Sequence, residues 1–356
     1  MKRIAMIAIA AALAVVMAFS FVACGGGAIN LKSTVALGEP DLTPTKEINK
    51  DMSAIEMLTA AVDNYYGADF AIARTTGSLS TVVSGLAMTQ FVKSVTIREG
   101  ASTGDNKMFY QNQSGTVDDG GLIQKFVNIR IWEETDYVKS GDSENLYFRS
   151  AVDKSLEGMT ETGEIDGETV ITDAWFVWKD GTEDFNETQS YNSLDTYVTE
   201  RASDPTKIWM YDINANTILS DKTVAPQLTT EKLSDGSEIE YYTFSVSGNV
   251  DKNSDGYSVA DYEDQMLYML ESQGQTPSEF YFTEITLEVQ VWPNGFLRQV
   301  KVTESYFMKV MGIVETVVTL ESTKAFFFDK NDLPGKGTDS AFDPALIGTV
   351  QASAKA

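Results

Sequence analysis

Apolar and polar residues alternate with a period of two over much of this chain, most cleanly from Ile285 to Val291. There Ile285, Leu287, Val289 and Val291 are separated by Thr286, Glu288 and Gln290, which places the apolar side chains on one face of an extended strand. The run ends at Trp292-Pro293-Asn294-Gly295. Asn-Gly suits the positive φ angles of a tight hairpin, so the chain is expected to return through Phe296, Val300 and Val302. Tyr242, Phe244 and Val246 alternate with Thr243, Ser245 and Ser247 in the same way, and Ile123, Val127, Ile129 and Ile131 with Gln124, Asn128 and Arg130. Strands with one wet face joined by short turns make antiparallel sheet, because parallel strands need long crossovers and are usually buried on both faces. The pattern predicts a large antiparallel meander.

Helical spacing interrupts it in three places. Ser53 with Glu56 three residues on has the form of a capping box, and Met52 with Met57 that of a hydrophobic staple. Ile55, Leu58, Val62 and Tyr65 follow at helical spacing, with Gly67 as the stop. A short helix is predicted over Leu194 to Ala202, ending before Asp204-Pro205, and a longer one over Val259 to Gln273, capped by Ser258 with Asp261 at its third position. In the longer helix Val259, Tyr262, Met266, Met269 and Leu270 share a face. Methionine packs adaptably, so Tyr262, Met266, Met269 and Leu270 are candidates to line a ligand cavity with the helix as its lid. The plainer reading of such a stripe is core.

The chain opens with Met1, Lys2 and Arg3, an apolar run from Ile4 to Ala23, and then Cys24, its single cysteine. Cations before an apolar run that closes on a small residue read as an export signal, with cleavage expected between Ala23 and Cys24. Phe21-Val22-Ala23-Cys24 resembles the lipobox of bacterial lipoproteins, with Phe21 in place of the usual Leu. The resemblance implies a diacylglycerol on the Cys24 thiol, palmitate-type acyl chains, and a protein held at the extracytoplasmic side of the cell membrane. Two acyl chains anchor stably where one is marginal. An uncleaved transmembrane anchor and an ordinary secretory signal stay open as alternatives.

Gly25-Gly26-Gly27 and a stretch with Pro40, Pro44 and several Ser and Thr follow, so residues 24–51 are expected to be the lipidated Cys and a flexible tether spanning roughly 30 Å. Residues 52–330 are expected to form one β-rich domain, with the acidic stretch Ser155 to Glu168 as a loop. Residues 331–356, with Pro334, Gly335 and Gly337, are expected to be a loosely ordered tail.

Composition then removes function classes. There are 52 acidic against 27 basic residues and a formal net charge of −25, to which the leader adds only two cations. Such a surface repels polyphosphate and anionic lipid headgroups, which excludes nucleic acid as a partner and a polybasic contact with the membrane. The chain has no His, which removes the commonest general base, the usual zinc ligand and every Ser-His or Cys-His arrangement. Ser-x-x-Lys, Gly-x-Ser-x-Gly and phosphate-binding Gly loops are also missing, so no enzyme is expected. Asp251, Asn253, Asp255 and Tyr257 match the first half of a calcium loop, with Gly256 at its turn. Its second half departs from the pattern, with Tyr262 at position twelve and Asp261 and Glu263 each one place off, so Ca²⁺ would need one of those acids to swing in. An Asx-rich turn without metal is the plainer alternative.

The order of helix, long amphipathic strands, middle helices and closing hairpin on a lipid-anchored body resembles the half-barrel lipoproteins of the LolA and LppX type. The resemblance implies an α+β fold, with a large curved antiparallel sheet and a few amphipathic helices on one face enclosing an apolar cavity for lipid. Three classes of function follow. The first is a non-enzymatic lipoprotein that binds or carries an apolar or amphipathic ligand. The second is an envelope scaffold or adhesion lipoprotein with a filled core, whose protein partner the sequence does not name. The third is a hydrolase built on two facing carboxylates.

Overall fold

The computed structural model describes residues 35–100, 107–116, 130–140, 143–152, 164–165, 168–169, 175–179, 219–272, 276–310, 312–332 and 350–352. Its first element is helix α1 (Ala54–Gly67). Strands β1 (Phe70–Val83), β2 (Leu86–Glu99), β3 (Lys107–Thr116), β4 (Arg130–Ser140), β5 (Ser143–Val152), β6 (Glu164–Ile165), β7 (Glu168–Thr169), β8 (Trp175–Lys179), β9 (Val224–Lys232) and β10 (Glu238–Ser247) follow. Then come α2 (Ala260–Ser272), β11 (Pro277–Val291), β12 (Leu297–Val310), β13 (Val314–Phe327) and β14 (Val350–Ala352).

Twelve of the strands form one open, curved sheet in the order β14-β8-β5-β4-β3-β2-β1-β13-β12-β11-β10-β9. Every pairing in it is antiparallel except the short one between β14 and β8. The expected α+β, half-barrel-like class is the observed one. The predicted helix at Leu194 to Ala202, most of the Ser155 to Glu168 loop, the Ile123 to Ile129 alternation and residues 333–349 of the tail lie outside the described residues.

Helix α1 begins as its sequence requires. The Glu56 amide donates to Ser53 Oγ at 3.3 Å, and the Ser53 amide donates to Glu56 Oε2 at 2.8 Å, so two otherwise orphaned helix donors are satisfied. Its end differs from expectation. Gly67 is still helical and the chain leaves through an extended Ala68 rather than a left-handed residue. A Cβ at Gly67 would lie 3.1 Å from Thr45 Cγ2, a tight contact that the exposed threonine would have to relieve. The cation that suits a helix C-terminus comes from β2. Arg98 Nη2 donates to the Tyr65 carbonyl at 2.5 Å, with the guanidinium lying over the Tyr65 and Tyr66 rings.

The main core lies between α1, α2 and one face of the sheet. It joins Met57, Leu58 and Val62 of α1, Phe244 and Val246 of β10, Ile285, Leu287, Val289 and Val291 of β11, and Val300, Val302 and Met308 of β12. Alternation breaks within β11. A register irregularity between Phe282 and Glu284 lets Phe280 and Phe282 share the face that Ile285, Leu287 and Val289 occupy, and irregularities of this kind bend and twist a strand.

The β11–β12 hairpin forms where predicted but with another geometry. Gly295 alone takes a positive φ, of 89°, because Pro293 holds the first corner of the turn at a negative φ. The Gly295 amide donates to the Trp292 carbonyl, and Trp292 donates to Phe296.

The reverse face of the sheet is not simply wet. Phe70, Ile72, Val95, Ile97, Ala325 and Phe327 form one buried cluster there, and Ala68, Tyr241, Trp292 and Phe296 another, with Ala36 packed on both. Residues 35–51, expected to belong to a flexible tether, are instead docked onto the body. The Asn64 side chain, 1% exposed, accepts from the Lys46 amide at 2.8 Å and donates to the carbonyls of Lys46 and Gly295, each at 2.9 Å. Asn294 donates to Glu39 and to the Pro40 carbonyl. The low apolar content of this segment hid its polar docking.

Candidate ligand site

Three rows of inward-facing residues cross the strands beneath the helices. Glu304 of β12 pairs with Leu320 of β13, which pairs with Leu79 of β1 and then Gln90 of β2. The next row runs Tyr306, Val318, Thr81, Met88, and the next Met308, Thr316, Val83, Leu86. Polar groups in these rows are deeply buried: Glu304 is 4% exposed, Gln90 4%, Thr81 1% and Thr316 0%. The hydroxyls of Thr81 and Thr316 have no hydrogen-bond partner among the described residues. Each buried hydroxyl left so costs about 1–3 kcal/mol, and a polar island within apolar walls is the usual makeup of a small-molecule site.

Helix α2 reaches this island. Val259, Tyr262, Met266 and Leu270 are buried in the main core. The Tyr262 ring stacks on Phe282 with centroids 5.1 Å apart, and its hydroxyl donates to Glu304 Oε2 at 3.1 Å. Burial, then the Glu304 charge, pushes the phenols of Tyr262 and Tyr306 well above the ordinary tyrosine range. Lys324, half-buried on the same face of β13, is pulled down by burial to about 8. Of the residues predicted for a cavity, Tyr262, Met266 and Leu270 therefore come together, but as packed core against Phe280, Phe282 and Tyr306. The side chain of Met269 lies outside the described residues.

Sequence reasoning passed over Glu304 and Tyr306. The signal was present, since Val300 and Val302 set an inward parity that Glu304, Tyr306 and Met308 continue. A carboxylate at an inward position marks either a buried pair or a site.

The calcium expectation meets a different arrangement. Asp251 Oδ1 accepts from the Asn253 amide at 2.9 Å, and the Ser254 amide donates to the Asp251 carbonyl, an Asx-type turn closed on itself. Asp255 is exposed. Glu263 is taken up by the Lys252 ammonium and the Tyr257 hydroxyl, and Lys252 also donates to the Phe280 carbonyl at 2.7 Å. Burial and the bond to Glu263 push the Tyr257 phenol far up. Among the described residues no three acidic groups converge, and the side chain of Asp261 is not among them. A lysine ammonium thus satisfies Glu263, the acid that the calcium reading needed to swing in. Ser258 joins this loop as well, its hydroxyl accepting from the Asn249 amide at 2.8 Å. Ala23 and Cys24 lie outside the described residues.

On the reverse face an open recess of about 260 Å³ is lined by Val35, Arg74, Thr76, Gln299, Thr323 and Ala325. No helix among the described residues is long and apolar enough to cross a membrane.

No family model matches the chain, and no curated protein matches it. Among solved structures, a β-barrel-like protein of the domain of unknown function DUF1849 from Brucella abortus is similar over 73% of this chain and 98% of its own, at 10% identity and a TM-score of 0.24. A DUF1329 family protein from Desulfovibrio piger is similar over 83% of this chain and 100% of its own, at 9% identity and a TM-score of 0.21. The translocator domain of the autotransporter NalP from Neisseria meningitidis is similar over 76% of this chain and 94% of its own, at 8% identity and a TM-score of 0.22. Values this low carry no function across, so the role of this chain is read from its own residues.

Proposed function

We propose that this chain is an exported protein, lipid-anchored through Cys24 at the extracytoplasmic side of the cell membrane, whose half-barrel-like sheet binds an amphipathic ligand and catalyses no reaction. The observation that carries the reading is the polar island formed by Glu304, Gln90, Thr81 and Thr316 within a mainly apolar sheet face. An amphipathic ligand would supply the polar group that the two hydroxyls lack, taking its place among Val, Leu and Met side chains that are packed together as core. Helix α2 is the element that would move to admit it, because its Tyr262 bridges to Glu304.

A second reading, an envelope scaffold or adhesion protein with a filled core, is favoured by one observation. Tyr262, Met266 and Leu270 are already packed in the main core, with Tyr262 stacked on Phe282. Native mass spectrometry of the purified body separates the two. Co-purifying lipid-sized mass that is reduced in a Glu304→Leu variant supports the ligand reading, and a spectrum of bare protein from the native host supports the scaffold. Incorporation of labelled palmitate at Cys24, lost in Cys24→Ser, tests the anchor independently.

A further inference from the structure

We propose that the reverse-face recess binds a phosphate group, presented by a lipid headgroup or free in solution. The site is separate from the interior island, and it rests on the anchored reading only for the headgroup source.

Two register rows build it. Arg74 of β1, Ala325 of β13 and Gln299 of β12 lie side by side in one row, and Thr76 and Thr323 face each other in the next. Ala325 is the smallest side chain of its row, so a hollow opens between the guanidinium and the amide, with Val35 of the docked segment as a wall. The lining thus offers a guanidinium fork, two hydroxyls and one amide. It contains no acid.

The charge pattern points the same way. Acids outnumber bases almost two to one in this chain, and Lys252, Arg298, Lys301, Lys309 and Lys330 each have an acidic partner. Arg74 has no ion pair or hydrogen bond among the described residues, and its cross-strand neighbours are Val95 and Ala325. Lys93 and Lys301 flank the second row, opposite Thr76 and Thr323 respectively. The nearest acid along β13 is Glu321, which faces Ser78 and does not line the recess.

A half-buried guanidinium between hydroxyls suits a tetrahedral oxyanion, which takes two bonds from the fork and further bonds from flanking hydroxyls. The recess has room for one such group with part of its substituent, and the overall negative charge disfavours a polyanion. Val35 follows Cys24 by eleven residues, a length that spans at most about 36–40 Å. A chain acylated at Cys24 therefore keeps the recess within reach of headgroup phosphates.

The test uses the mature chain carrying Cys24→Ser, so that acylation plays no part. Inorganic phosphate is titrated by calorimetry at low ionic strength, and flotation is measured with vesicles of phosphatidylcholine alone or mixed with phosphatidylglycerol. Saturable phosphate binding is expected, weakened about tenfold in Arg74→Gln and severalfold in Thr323→Val, and unchanged in Lys309→Gln. Thr323→Val keeps the β-branched shape of its strand and guards against misfolding of the arginine variant. Binding of mixed vesicles without binding of free phosphate, again lost in Arg74→Gln, assigns the headgroup as the source. Binding of neither probe, or equal binding by wild type and Arg74→Gln, overturns the proposal. If palmitate labelling fails while phosphate still binds at Arg74, the anchor falls and the recess stands as a site for the free ion.

Discussion

The two faces of the sheet each bury a charged side chain, and they satisfy it by different means. On the reverse face Arg298, 3% exposed, donates to Glu231 Oε2 at 3.0 Å, to Gln290 Oε1 at 2.5 Å and to the Ala36 carbonyl at 3.3 Å, while its guanidinium lies over the rings of Tyr241 and Trp292. Its side-chain partners stand on strands or in the hairpin, and its backbone partner is the docked segment. On the inner face Glu304 accepts from Tyr262, which stands on a helix. A charge held by sheet neighbours acts as a staple. A charge held by a helix ties the position of that helix to the polarity of the interior, which is what a site with a movable cover requires.

The sharpest way to break this comparison is Arg298→Ala. It removes three donor bonds and two ring contacts, so a loss of about 3 kcal/mol in urea-denaturation stability is expected, with faster amide exchange over residues 35–51. A loss below about 1 kcal/mol, within the range of a surface pair, would mean that the reverse face is not stapled.

Tyr262→Phe keeps the stack on Phe282 and removes the hydroxyl that donates to Glu304. Its expected cost is about 1–2 kcal/mol, with amide exchange raised in α2 and little changed in residues 35–51. Exchange that rises equally in both places would erase the distinction between staple and cover.

The smallest effect is on pH dependence, and it separates two groups of the inner face. Lys324 in the unfolded chain holds its proton up to about 10.5, whereas the folded protein releases it near 8. Between those values the unfolded state binds more protons, so stability rises with pH. The phenols of Tyr262 and Tyr306 have the opposite sign. The unfolded chain ionises them near 10.0 while the folded protein keeps them neutral, so stability falls above that pH. Thermal melts from pH 8 to 11 should therefore pass through a maximum, with the rising limb flattened in Lys324→Met. A monotonic fall in the wild type would show that Lys324 is solvated like an ordinary lysine.

Local pattern made much of the sheet and both described helices legible. Ile285, Leu287, Val289 and Val291 face inward as their spacing requires, the capping box of Ser53 and Glu56 forms, and the hairpin turns at Trp292 to Gly295. These features depend on residues a few positions apart, which interact before any tertiary contact exists. The shared face of Tyr262, Met266 and Leu270 was legible too, and it is packed as core, the plainer of the two readings of such a stripe.

The sequence by itself determined most of the strand faces, the start of α1 and the acidity, because each follows from composition or short-range periodicity. Tertiary structure alone decided the rest. It set which strands lie side by side, and so which polar residues share a row: Glu304 and Gln90 are 214 positions apart in the chain yet belong to one line across four strands. It reversed the parity of β11 at Phe282, and it turned residues 35–51 from an apparent tether into a strap tied down by Asn64 and Asn294. Each of these depends on long-range pairing, and a hydrogen bond between distant backbone and side-chain groups leaves no periodic mark on the residues that make it.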